Sequence, residues 1–121
     1  MTELDRVRDL LARAEHAAMS GNFPSADELL KEAARVQEKE LGPGHPDLAN
    51  TLNNLAIIAE KTGRAAEAET LYRRSASIAA AALPPDHPMV VESRQNLADF
   101  CRAHAFGLTF HEAHEAVEYS R

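Results

Sequence analysis

Residues 41–64 read LGPGHPDLANTLNNLAIIAEKTGR, and parts of this stretch recur at a fixed distance along the chain. The His-Pro pair at 45–46 is repeated at 87–88, which lies 42 residues later, and the Asn-Leu-Ala triplet at 54–56 is repeated at 96–98 with the same spacing. A fixed period of roughly 20–50 residues is typical of solenoid proteins, in which each repeat buries its apolar face against its neighbours. The sequence therefore predicts a repeat architecture.

Length and composition restrict the class of protein. The 121 residues suit one domain with room for about three such repeats, and the formal net charge is −6 with acidic and basic residues interleaved. This charge argues against nucleic-acid and anionic-membrane partners. No apolar run approaches the roughly 20 residues of a membrane span, and the start, MTELDRVRDL, does not resemble a signal peptide. The single cysteine, Cys101, cannot form an internal disulfide, so we expect a reducing, cytoplasmic location.

Apolar residues recur at helical spacing, and glycine and proline clusters interrupt them. The pattern predicts an all-α fold, a right-handed α-solenoid of about three antiparallel helix pairs, or six helices. We expect a single domain over 1–121, with repeats at about 3–41, 46–83 and 88–120. The repeat decays after residue 105, and residues 109–120 are predicted to form a degenerate capping helix. Whether residues 106–121 cap the stack or occupy its groove is left open.

Several single residues carry local predictions. Thr2 is expected to cap the first helix, and Ser25 with Glu28 matches a capping box at the second. His45 recurs in the next connector, which favours a structural role in the turn over catalysis. Cys101 falls on the predicted inner stripe of the fifth helix, together with Val90, Leu97 and Ala98, and is expected to be a small core residue.

At these positions the chain resembles a tetratricopeptide repeat (TPR) protein of the long-period type found in kinesin light chains and in many bacterial proteins. In the middle repeat the motif positions of the family fall on Leu52, Leu55, Ala56, Ala59, Gly63, Ala68, Tyr72 and Ser75. The resemblance implies that Ala56 and Ala68 lie where two helices cross most closely. Larger side chains would clash there.

The resemblance also implies a function. The first helix of each pair would line a concave groove that binds a protein or peptide partner, without catalysis and without a cofactor. The groove positions implied on the middle and third repeats are Asn50, Asn53, Asn54, Ile57, Lys61, Glu92, Gln95, Asn96, Asp99 and Arg102. The first repeat would add Arg8, Leu11, Ala12, Glu15 and Met19. Because a carboxamide both donates and accepts hydrogen bonds, Asn54 and Asn96 could hold a peptide backbone.

Two alternative functions remain. The ends of the stack are incomplete cores, so a homo-oligomeric scaffold is the second hypothesis. His111 and His114 suggest a metal site, but metalloproteases place their two histidines four residues apart, and here they are three apart. A polar face on a capping helix is the favoured interpretation.

The resemblance also bears on the charge of the partner. Tetratricopeptide domains that bind acidic carboxyl termini carry basic residues at the positions of Glu92 and Asn96, which argues against a polyanionic partner.

Overall fold

The computed structural model describes residues 1–104, and this part of the chain folds into five α-helices with no strand. The helices are α1 (Glu3–Met19), α2 (Phe23–Leu41), α3 (Pro46–Lys61), α4 (Ala65–Ala82) and α5 (Pro88–His104). Each helix packs mainly against the helices that precede and follow it in sequence. The predicted all-α repeat architecture is confirmed, while the predicted sixth helix at 109–120 lies outside the described residues.

The helix ends follow from local hydrogen bonding. Thr2 and Asp5 form a reciprocal capping box at the start of α1. The Nδ1 atom of His45 accepts a hydrogen bond of 3.0 Å from the backbone N–H two residues later, and His87 does the same at the start of α5. The two histidines therefore cap helices, as their repetition predicts. Gly63 ends the α3 turn with a φ of +79°, a conformation that glycine adopts at little steric cost.

The predicted capping box at Ser25 and Glu28 is wrong. Helix α2 begins earlier, at Phe23, and the side chain of Asn22 accepts the hydrogen bond from the Ser25 N–H at 3.3 Å. The reason is that Asn22, directly after the turn glycine, already accepts the hydrogen bond from the Ser25 N–H. Ser25 therefore lies inside the first helical turn and does not cap it.

Small side chains are buried where α3 packs against α4. Ala56 and Ala68 are both fully buried in one apolar cluster with Ala59 and Tyr72. Ser75 is buried in the same helix pair, and its Oγ donates a hydrogen bond of 2.7 Å to the carbonyl oxygen of Ala49. The small motif residues of the middle repeat are therefore buried between α3 and α4, as predicted.

The predicted inner stripe of α5 needs correction. Cys101 is exposed, and Leu97 and Ala98 are only partly buried, whereas Phe100 is 4% exposed and packs against Tyr72. Residues 98 and 101 lie one period after Ala56 and Ala59, which are buried because α4 covers them. No helix follows α5 within residues 1–104, so nothing in this part of the chain covers the corresponding face, which we call the open face of α5.

Charged residues join the second helices of adjacent repeats. Asp27 of α2 accepts hydrogen bonds from Arg64 at 2.9 Å and contacts Lys31 at 3.0 Å, and both cations also pair with Glu67 of α4. Burial of Asp27 raises its pKa, but the hydrogen bonds from Arg64 and Lys31 outweigh burial and leave the pKa below its usual value. The cluster ties the first repeat to the second.

Candidate functional site

An open cavity of about 580 Å³ lies between α1 and α3, and we call it the α1–α3 groove. It is lined by Leu11, Ala12, Ala14, Glu15, Ala18, Leu30, Asn50, Asn54, Ile57 and Ile58. Most of these side chains are apolar, and the polar ones are one carboxylate and two carboxamides. A concave, mostly apolar surface with a few polar groups is the usual form of a binding site.

Helical spacing explains why these residues share one surface. On α3, Asn50, Asn54 and Ile57 are separated by four and three residues, so they lie on one face. Asn50 and Asn54 are exposed and Ile57 is half-buried. The small alanines of α1 face these residues across the groove. The buried Ile58 of α3 forms part of the groove floor. Because alanine side chains are short, the two helices leave open space between them.

The surface between α3 and α5 is different, because its polar groups bind one another. The Asn96 Nδ2 donates to the Asn53 Oδ1 at 3.2 Å, and the Gln95 Nε2 donates to Asp99 at 2.8 Å. Arg102 also pairs with Asp99. The cavity here has a volume of only about 20 Å³. Of the two carboxamides expected to hold a peptide backbone, Asn54 therefore faces open space and Asn96 is already hydrogen bonded.

The remaining sequence-predicted positions lie at the edges of this surface. Glu92 lines the small cavity between α3 and α5. Arg8 and Lys61 are exposed, and Met19 is 81% exposed. All ten predicted groove residues are thus at least partly accessible, but the structure brings only Asn50, Asn54 and Ile57 into the large cavity.

A polar and aromatic cluster joins side chains of α3, α4 and α5. The hydroxyl of Tyr72 donates to the Glu60 Oε1 at 2.9 Å, and Nδ1 of His104 lies 3.9 Å from the other oxygen of Glu60. The His104 ring stacks on Phe100 with the centroids 4.1 Å apart. Burial, followed by the hydrogen bond to Glu60, raises the pKa of the Tyr72 phenol well above its usual value. These groups satisfy one another, which makes the cluster structural.

Sequence reasoning missed part of the groove floor. Ile58 is buried beneath the groove and Phe100, one period later, is equally buried, although neither was placed on an inner stripe. The 42-residue period could have found them as a pair. Leu30 of α2 also reaches the floor, because α2 packs behind the space between α1 and α3. No feature of the sequence near Leu30 distinguishes it from an ordinary core residue.

Metal ligands and membrane-spanning helices concern the alternative functions. Residues 1–104 contain no group of three or more metal-ligating side chains, and none of the helices in this part of the chain is long and apolar enough to cross a membrane. The suggested metal ligands His111 and His114 lie outside the described residues.

Comparisons with known proteins agree with the repeat pattern. A family model described as "Tetratricopeptide repeat" matches residues 7–81 and 48–105. Two crystal structures of a putative kinesin light chain from Podosopora anserina, with nearly identical TPR-like repeats, match with 27% sequence identity. One covers 94% of this chain with a TM-score of 0.70, and the other, a form with one substitution, covers 95% with a TM-score of 0.72. The chain spans 53% of the length of each. A comparison with curated protein sequences finds no significant match.

Proposed function

Because the chain belongs to the tetratricopeptide repeat family, whose members generally mediate protein–protein interaction, we propose that it is a non-enzymatic interaction module. It binds an extended segment of a partner protein in the α1–α3 groove. The observation that carries this proposal is the groove itself, an open space of about 580 Å³ with two unobstructed carboxamides on one wall.

The chemistry of the groove favours a peptide. Asn50 and Asn54 stand one helical turn apart, and each can donate to a backbone C=O and accept from a backbone N–H. An extended peptide presents such groups along its length, whatever its side chains are. Leu11 and Ile57 offer apolar contacts to the side chains of the bound peptide. Affinity then comes from the backbone and selectivity from a few apolar positions.

The charges support a neutral or mixed-charge partner. Glu15 lies in the groove and Arg8 beside it, so neither sign dominates. The net charge of −6 argues against nucleic acid and anionic membranes as partners, and the single cysteine is consistent with work in a reducing cytoplasm. The partner segment can continue over the α3–α5 surface, where the exposed Glu92 contributes a polar contact at the rim.

A peptide-display selection tests the proposal. Random decamers are selected on the native chain, and the enriched sequences are measured against Asn50→Ala/Asn54→Ala. Arg73→Ala is the matched control, because Arg73 is exposed on α4, away from the groove. We expect the selected peptides to bind the native chain and the control alike and to lose at least about tenfold in affinity for the double variant, the effect of about 1.4 kcal/mol. Equal binding to all three proteins would refute the groove as the site.

A second function, self-assembly, is favoured by the open face of α5. Val91 is 55% exposed, and the partly buried Leu97 and Ala98 lie near the exposed Cys101. If a second copy of the chain covered this face, the apparent size of the protein would increase with its concentration. Sedimentation velocity across the micromolar range separates the two proposals, since a strict monomer excludes assembly and leaves peptide binding intact.

A further inference from the structure

A second cavity adjoins the α1–α3 groove where α1 and α3 begin, and we call it the terminal cavity. It has a volume of about 360 Å³ and is lined by Leu4, Val7, Arg8, Leu11, Gln37, Leu41, Asp47 and Asn50. Leu11 and Asn50 line both cavities, so the two spaces are adjacent. Of the terminal cavity's residues, Leu4 is unusual because it is a large apolar side chain that is 45% exposed.

Gln37 is the buried polar residue of this cavity, and its side-chain oxygen has no hydrogen-bond partner. It is 3% exposed, and its Oε1 accepts no hydrogen bond within residues 1–104. The other buried polar side chains, Thr51, Ser75 and Ser93, each donate to a backbone carbonyl. Since nearly all buried polar groups are hydrogen bonded, an unpaired carboxamide oxygen lowers the stability of the fold and calls for a physical reason.

Comparison of the repeats shows that the cavity is specific to the first junction. One period later, Ala79 stands in place of Gln37 and Met89 in place of Asp47. There the alanine is fully buried, the methionine packs against the apolar core, and the cavity is only about 20 Å³. A cavity of this size is therefore found at the first junction and not at the second, and the buried carboxamide of Gln37 occurs only at the first.

We propose that the terminal cavity binds one aliphatic residue of the partner segment, with a neighbouring peptide group hydrogen bonded to the Gln37 carboxamide. This inference rests on the proposed peptide binding and adds a site of selectivity to it. The aliphatic walls, including the exposed Leu4, suit an aliphatic side chain. Arg8 and Asp47 carry opposite charges, which favours a neutral occupant.

The Gln37 side chain can reach such an occupant by a small movement. Rotation about its terminal torsion, which has broad preferences, exchanges the places of Oε1 and Nε2. A peptide N–H is a hydrogen-bond donor, so it can pair with the Gln37 Oε1 once that atom faces the occupant. Binding then supplies the hydrogen bond that the free protein lacks.

The test uses N-acetyl-leucine N-methylamide, a small probe with one aliphatic side chain between two peptide groups. Titration into the ¹⁵N- and ¹³C-labelled full chain is followed by NMR. Gln37→Met keeps the length of the side chain and removes its polar atoms, and Gln37→Ala introduces the residue found at position 79. Gln95→Met makes the same chemical change outside the cavity and is the matched control. A second probe, methylated on both nitrogens, has no N–H to donate.

We expect shifts at the Leu4 and Val7 methyl groups and at the Gln37 side-chain amide, with saturation in roughly the millimolar range. Gln37→Met should raise Tm by several degrees, because it removes an unpaired buried polar atom. The same substitution should lower the affinity for the probe at least about fivefold. The methylated probe should bind the native chain as weakly as the first probe binds Gln37→Met. The Gln95→Met control should behave like the native chain in both respects.

Three results would overturn the inference. A lower Tm for both Gln37→Met and Gln37→Ala would show that the carboxamide stabilises the free fold. Equal probe affinity for the native chain and Gln37→Met, or no shifts at all, would show that Gln37 binds nothing. Shifts confined to Ile57 and Asn54 would also overturn it, but they would leave peptide binding in the α1–α3 groove standing, because that proposal is tested separately by the display selection.

Discussion

Replacing Ala68 by leucine tests whether the helix crossing depends on small residues. Ala68 and Ala56 are both 0% exposed, so three added carbon atoms have no space to enter. Overpacking of this kind lowers the free energy of unfolding by about 1–3 kcal/mol. For a domain of this size each kcal/mol lowers Tm by about 4–8 °C, so we expect a fall of roughly 5–20 °C.

Urea unfolding followed by circular dichroism measures the effect. Ala66→Leu is the matched control, because Ala66 is exposed on the same helix and the substitution there should change the unfolding free energy by less than about 0.5 kcal/mol. The midpoint of Ala68→Leu should fall with an unchanged dependence on urea. If both variants unfold at the native midpoint, the crossing is not tightly packed and the account of the fold is wrong at its centre.

Three further predictions concern charge, backbone and thiol. The pKa of Asp27 is lowered in the folded state, so its contribution to stability is present above about pH 4 and is lost as pH falls through the folded pKa. The difference in unfolding free energy between the native chain and Asp27→Asn should therefore shrink below about pH 4, as measured by acid-unfolding curves. Gly63→Ala should lower the unfolding free energy by about 1–2 kcal/mol, because no atom lies near the added Cβ and only the φ of +79° opposes it, whereas Gly44→Ala should change it little in the same urea assay. Cys101 should react slowly with a thiol reagent in the native full chain if residues 109–120 cap the stack, which is one of the two placements that the sequence leaves open, and as fast as free cysteine if they do not.

The repeat pattern was enough to predict the fold, because it reports side chains that must be buried in every unit. Ala56, Ala68 and Ser75 were identified from their motif positions, and the structure buries all three. The same reasoning failed for Cys101, since a period carries a residue to the equivalent place on its helix but does not supply the helix that buries it there. The end of a repeat array is therefore less predictable than its middle.

The candidate site was only partly predictable, and the reason is physical. The resemblance to tetratricopeptide repeats implied that Asn50, Asn54 and Asn96 line the groove, and the structure leaves all three at least partly accessible. Spacing could not show that Asn96 is already hydrogen bonded to Asn53, because that contact joins two helices. Nor could it show that the Gln37 side-chain oxygen would lack a hydrogen-bond partner, since this depends on the packing of neighbouring helices.

The measurement that tests the central proposal most directly is chemical-shift mapping of the labelled native chain with a peptide from the display selection. We expect the largest shifts at Ala12, Asn54 and Ile57, on the two walls of the α1–α3 groove, with smaller ones at Leu4 and Val7 in the terminal cavity. Shifts confined to α2 and α4, or to the open face of α5, would contradict the account and place the interaction surface elsewhere.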